Sequence, residues 1–230
     1  MLKKDLILKS PANQAIGVEQ ITEGKFGAVL SRAGVGKTSF LVQIALTQLL
    51  ADEKTLHISL DDSMDKINLR YDEAYTNLVD SIGYVDPQKA VRLWESIRHN
   101  KVGISYTEST FDCEKIRDYL KSFKKADLPQ PTILVIDGLD FDGEVSAILE
   151  DLNQINKEFS ICIWLSMKSH RDEPLSQEGF PVQLANHETQ IDKAIFLMPV
   201  DDKIEAVILK DGDKTDQKFT LDPATMMPMD

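Results

Sequence analysis

The residues best suited to chemistry lie together near the start of the chain, in "AVLSRAGVGKTSF" over 28 to 40. Gly34 and Gly36 can take backbone angles closed to other residues, so successive N–H groups can curl inward around an anion. Lys37 adds a mobile positive charge and Thr38 a hydroxyl suited to a hard divalent cation. The following "SFLVQIALTQLL" reads as a helix whose positive dipole end faces the same point. This is the spacing of a phosphate-binding loop set between a strand and a helix. It predicts phosphate contact through Arg32, Ala33, Gly34, Val35, Gly36, Lys37, Thr38 and Ser39. Lys37 would reach the β- and γ-phosphates and Thr38 would bind Mg²⁺. One glycine of the pattern is replaced by Ser31, at the loop's start, where a small residue suffices if its backbone angles allow.

Such a loop needs a second carboxylate to position the metal ion. In "TILVIDGLD" four apolar residues lead to Asp137. Alone, Asp137 would read equally well as a turn residue before Gly138; paired with the phosphate loop it reads as the second Mg²⁺ group. Asp140 reads as a solvated or helix-capping side chain.

These groups must be held by a sheet. Short apolar runs at 26–31, 55–60, 102–106, 132–137 and 161–166 alternate with helical patterns, the signature of parallel strands wrapped by helices. Ile67, Tyr71, Ala74, Leu78 and Ile82 recur at helical intervals. The sets Ile116, Tyr119, Leu120, Phe123 and Val145, Ile148, Leu149, Leu152, Ile155 do the same. Toward the C-terminus "AIFLMP", "KIEAVILK" and "QKFTL" read as strands joined by turns at "VDD" and "KDGDKTD", an antiparallel extension of the sheet. Residues 167 to 190 read as a long polar loop, with Lys168, His170 and Arg171 near where a terminal phosphate would lie. The expected fold is α/β: a mostly parallel central sheet flanked by helices, with antiparallel C-terminal strands, in one domain over 1–230.

Composition narrows the function. The 230 residues are 42% hydrophobic and 28% charged, enough for a substantial core without disulfides or a structural metal. The net charge of −12 opposes broad nucleic-acid affinity, which depends on Lys and Arg displacing counterions. Cys113 and Cys162 form neither a CxxC pair nor a ligand cluster with the four histidines. Cys162 and His57, each within an apolar strand, read as core residues, and Trp94 as a helix anchor. The opening "MLKKDLILKS" is too short in its apolar part for a signal peptide, and no stretch approaches the ~18 apolar residues of a membrane span. A reducing cytoplasm is the expected compartment.

Four segments in order, "LSRAGVGKTSFLVQIAL", "LHISLDDS", "ILVIDGLD" and "VILKDGDKTDQKFTLDPATM", resemble the RecA-like P-loop ATPases, in the branch of replicative helicases and KaiC-like proteins. The resemblance implies a RecA-like ATP-binding domain and three groups for hydrolysis. The glutamate that activates water is matched by Asp61, with Asp62 beside it; carboxylates there would also suit a helix start. A polar residue, commonly Gln, near the γ-phosphate is matched by Met167. A Lys and Arg entering a neighbour's site are matched by Lys210 and Gly212. All three departures concern hydrolysis rather than binding. The expectation is therefore an ATP/ADP-binding, Mg²⁺-dependent ATPase, slow in isolation, with Lys37 and Asp61 as its catalytic residues. A homo-oligomer or protein partner would complete the site. The alternative is a nucleotide-dependent regulatory or interaction module with little turnover. A DNA motor is disfavoured by the charge and a GTPase by the absence of an NKxD element.

Overall fold

The structure, a computed structural model, describes residues 2–22, 24, 26–170, 173, 175–177, 179–211, 213–215 and 217–229. Its centre is built from runs rich in β-branched and other apolar residues: β1 (Phe26–Ser31), β2 (Thr55–Ser59), β3 (Lys101–Ser105), β4 (Ile133–Asp137), β5 (Cys162–Lys168) and β6 (Lys193–Val200). All six run parallel in the order β3-β2-β4-β5-β1-β6. Beyond β6 the direction reverses. Strand β7 (Lys203–Asp211) is antiparallel to β6, and β8 (Asp213–Lys214) and β9 (Lys218–Leu221) both pair with β7.

Because side chains alternate along a strand, each strand feeds two cores. On one face Val29, Val135, Trp164 and Ile195 pack with α1 (Leu2–Lys9), α2 (Pro11–Ala15), α3 (Lys37–Leu50), α4 (Met64–Asp80) and α5 (Pro87–Ile97). On the other, Ala28, Leu30, Ile58, Ile136 and Leu165 pack with α6 (Cys113–Lys125), α7 (Ser146–Phe159) and the short α8 (Val182–Ala185). Helix starts are set locally. Ser63, Asp86 and Asp112 each accept a backbone N–H of the first turn of α4, α5 and α6, and Pro87 begins α5 where its missing N–H costs nothing.

The parallel strands and helices α3, α4, α6 and α7 lie where the residue pattern places them, α1 and α2 were not read from it, and four further differences appear. Strand β5 runs two residues further, through Met167 and Lys168, because both pair in register with β1. The region read as an unbroken loop also contains α8. The "KDGDKTD" turn contains β8, a two-residue hairpin return. Strand β6 is parallel to β1, so the antiparallel extension begins only at β7. His57 is fully buried and bonded through Nδ1 to the Tyr71 hydroxyl at 2.9 Å. Cys113 and Cys162 are buried free thiols. Trp94 stacks on Tyr75 and its indole N–H donates to Asp72. No helix among the described residues is long and apolar enough to cross a membrane.

Candidate functional site

The carboxyl ends of β1, β2, β4 and β5 surround a cavity of about 630 Å³. Parallel sheets commonly place ligands there, because the loops leaving the strands diverge. The floor is the segment between β1 and α3. Gly34 and Gly36 hold φ of +79° and +116°, angles that turn the backbone sharply into the helix. Gly36 is also the N-cap of α3, and its carbonyl accepts the Phe40 N–H, so the free N–H groups of the first turn open onto the cavity. Ser31 explains how the loop dispenses with its first glycine. It is the last residue of β1, fully buried, paired with Lys168 and not in the left-handed region. Its carbonyl accepts the Lys37 ammonium at 3.2 Å and the Ser169 N–H at 2.9 Å, and its hydroxyl donates to the Arg32 carbonyl at 2.8 Å.

Ala33, Gly34, Val35, Gly36, Lys37, Thr38 and Ser39 all line this cavity. Arg32 differs. Its carbonyl accepts the Lys37 ammonium at 3.3 Å, but the residue lines a separate cavity of about 320 Å³ beside β6. Burial holds the Lys37 ammonium below the usual lysine range, and Lys168 adds to this, while Asp137 and Asp61 work against it.

Asp137 ends β4 almost fully buried, and its Oδ2 accepts the Thr38 hydroxyl at 2.6 Å. A serine hydroxyl fixes the turn after it: Ser166 Oγ accepts the Gly138 N–H at 2.9 Å. The two side chains offered by the sequence for a metal are thus in direct contact. Both are hard oxygen groups, one of them anionic, and they fit Mg²⁺ in type.

Asp61 and Asp62 follow β2 but have different surroundings. Asp61 lies against Gly138; a Cβ there would come within 2.8 Å of its Oδ2. Burial, then the nearby charges of Asp137 and Asp62, push its carboxyl above the usual range. Asp62 is clamped by Lys66 at 2.6 Å and Arg70 at 3.3 Å. Burial works upward on it too, but these hydrogen bonds and charges prevail and hold it below the usual range. The Asp62, Lys66, Arg70 spacing of four, a carboxylate just before the Ser63 N-cap with two cations on the first turns of α4, was a sequence signal that the motif reading left unused.

Met167 is fully buried in the second core, so it lies outside the cavity. The pleat turns its neighbours Ser166 and Lys168 toward the cavity instead, and both line it. Lys168, read from sequence as a loop residue, is a strand residue at the cavity wall. His170 points elsewhere, bonded to Asp142 at 2.7 Å. Lys210 donates to the Glu188 carbonyl at 2.9 Å. Arg171 and Gly212 lie outside the described residues. The remaining wall comes from Gly138, Leu139 and Asp140 after β4 and from Pro223, Ala224 and Met226, which end the fourth segment of the resemblance although no role was read for them there; Met226 packs over Gly36.

Two solved structures share this fold. The first, an ATPase domain, superposes with a TM-score of 0.64 at 15% identity, over 86% of this chain and 80% of that one. The second, a DnaB-like replicative helicase solved for its interactions with primase, gives a TM-score of 0.61 at 17% identity, over 86% of this chain and 55% of that one. This chain therefore spans little more than half the helicase chain. No protein-family profile matches the sequence, and no curated protein matches it with significance. The likeness establishes the fold: the RecA-like P-loop arrangement of replicative-helicase ATPase domains.

Proposed function

We propose that this chain is a Mg–ATP-binding module that hydrolyses ATP slowly. The observation that carries the reading is the contact between Thr38 and Asp137, 2.6 Å apart, beside a left-handed glycine loop and a free helix N-terminus. Backbone N–H groups of residues 33 to 39 would hold the α- and β-phosphates, and Lys37 would exchange its carbonyl partners for phosphate oxygens. Thr38 and Asp137 would hold Mg²⁺, which would neutralise charge on the β- and γ-phosphates. Hydrolysis forms a bond from a water oxygen to the γ-phosphorus and breaks the bond to the β-phosphate oxygen, releasing ADP. Asp61 would take the proton. Burial raises its pKa, which makes its carboxylate a stronger base than an ordinary aspartate's.

A second reading, a nucleotide-dependent interaction module with little turnover, draws support from Met167 and Lys210. The first is buried away from the cavity and the second is committed to Glu188. Calorimetry with Mg–ATP and Mg–ADP tests the shared premise. Wild type should bind both, and Lys37→Ala should lose at least about tenfold in affinity. Equal affinity of the two proteins would remove the nucleotide assignment.

A further inference from the structure

Away from the main cavity, the segments that follow β4 and β5 bring together a mixed set of side chains. Asp142 follows β4, His170 and Glu173 follow β5, and Gln183 lies on α8. One nitrogen or carboxylate oxygen from each of Asp142, His170 and Glu173 lies within 4.8 Å of the other two. His170 Nε2 and Asp142 Oδ2 are already hydrogen-bonded at 2.7 Å. Around a tetrahedral Zn²⁺ such atoms stand about 3.3 Å apart, so small side-chain rotations would close all three on one ion. Gln183 adds an independent observation. It is only 3% exposed, yet its amide points into the cluster: Nε2 donates to Asp142 Oδ1 at 3.2 Å and to Glu173 Oε2 at 2.8 Å. Its Oε1 is buried with no hydrogen-bond partner among the described residues, an acceptor still unspent. The two ends of an amide are alike in shape, so a half-turn of the terminal bond exchanges them without moving α8. The oxygen would then face two carboxylates, an arrangement that holds only with a cation among them.

We propose that Asp142, His170, Glu173 and Gln183 form a second cation site, selective for Zn²⁺ and similar transition-metal ions over Mg²⁺. The imidazole decides the class. Mg²⁺ and Ca²⁺ take oxygen ligands, whereas Zn²⁺ accepts imidazole nitrogen and carboxylate oxygen together. The ion takes the place of the proton in the His170–Asp142 hydrogen bond, and that proton leaves to solvent. His170 and Glu173 also line the cavity of about 320 Å³ beside β6, which gives the ion a path inward. Once bound, it ties the loop after β4 to the segment after β5 and to α8.

Calorimetric titration of the chelator-treated full chain with ZnCl₂, in buffer holding excess Mg²⁺, tests this. Wild type should bind one equivalent with roughly micromolar affinity. His170→Asn, Glu173→Gln and Gln183→Leu should each weaken binding by about tenfold or more, whereas Asp137→Asn, which alters the main cavity instead, should stay within about twofold of wild type. Zn²⁺ should raise the melting temperature of wild type and not of His170→Asn, and the two should melt alike without it. An absence of Zn²⁺ binding by wild type would leave an ordinary surface ion pair and overturn the proposal. Binding that survives the His170 and Glu173 substitutions, that is lost with Asp137→Asn, or that excess Mg²⁺ displaces would overturn it too.

Discussion

Two adjacent carboxylates show how surroundings divide the work of identical side chains. Asp62 is spent on holding Lys66 and Arg70, whereas Asp61 faces Gly138 and the cavity with its pKa raised. Asp61→Asn should therefore remove most of any phosphate release while Mg–ADP affinity stays near wild type. Asp62→Asn should mainly lower stability, by about 1 kcal/mol in urea unfolding, since partly exposed ion pairs are weak. The reverse pattern would move the base to Asp62. His57 gives a prediction of a different kind. Burial, helped by Lys101, lowers its pKa from the ordinary 6.5 to about 3. Above pH 6.5 the ring is neutral folded and unfolded, so it contributes no slope. As pH falls below that, the unfolded chain takes up the proton first and the fold loses ~1.4 kcal/mol per pH unit from this group, until about pH 3. His57→Gln keeps a partner for the Tyr71 hydroxyl and removes the titration. Between about pH 7.5 and pH 5, wild type should lose roughly 2 kcal/mol more than the variant in urea unfolding. Parallel losses would show that His57 is not held neutral.

At the scale of elements, the parallel strands and most helices were legible because their periods are pure. Runs such as "ILVID" admit only a covered strand, and Ile67, Tyr71, Ala74 and Leu78 form one buried face of α4. The glycine turn that leads from β1 into α3 was legible because it lies in consecutive residues. What was hidden depends on contacts distant in sequence. The end of β5 is set by pairing with β1, so Lys168 could not be separated from the loop, and the wall formed by Pro223, Ala224 and Met226 needs the tail folded back onto Gly36. Packing makes a similar distinction between two strand glycines. A Cβ on Gly27 in β1 would come within 2.5 Å of the Trp164 ring, which is fully buried and bonded to the Ile21 carbonyl. A Cβ on Gly103 in β3 would overlap the terminal methyl and crowd the sulfur of Met64, which can swing aside, while the His57 carbonyl stays at ordinary contact distance. Gly27→Ala should thus cost about 2–3 kcal/mol and Gly103→Ala less than about 1 kcal/mol. Equal costs in chemical denaturation would mean that the indole yields as readily as the thioether.

For the whole molecule, the net charge of −12 sets one expectation and the distribution of cations another. Single-stranded DNA should show no sub-micromolar, salt-sensitive binding in fluorescence anisotropy, because the phosphate backbone needs an excess of free Lys and Arg. Such binding would revive the motor reading. Turnover is the more demanding test. On the proposed reading, nucleotide binding would call on groups from one chain: the loop N–H groups, Lys37, Thr38 and Asp137. Hydrolysis also needs positive charge on the γ-phosphoryl oxygens as the bond to the leaving group breaks, and an arginine placed there is worth ~10³-fold or more. Arg70, which lines the cavity, is held by Asp62, and Lys210 is held by the Glu188 carbonyl. With Lys168 the remaining free cation among the described residues of the cavity, the isolated chain should release phosphate slowly. A second copy or a protein partner that inserts a cation should raise the rate. Measured across a range of protein concentrations, the specific rate should rise as the chains associate. A fast rate that is independent of concentration would place all the needed charge within one chain, with Lys168 and Arg70 the residues to substitute first.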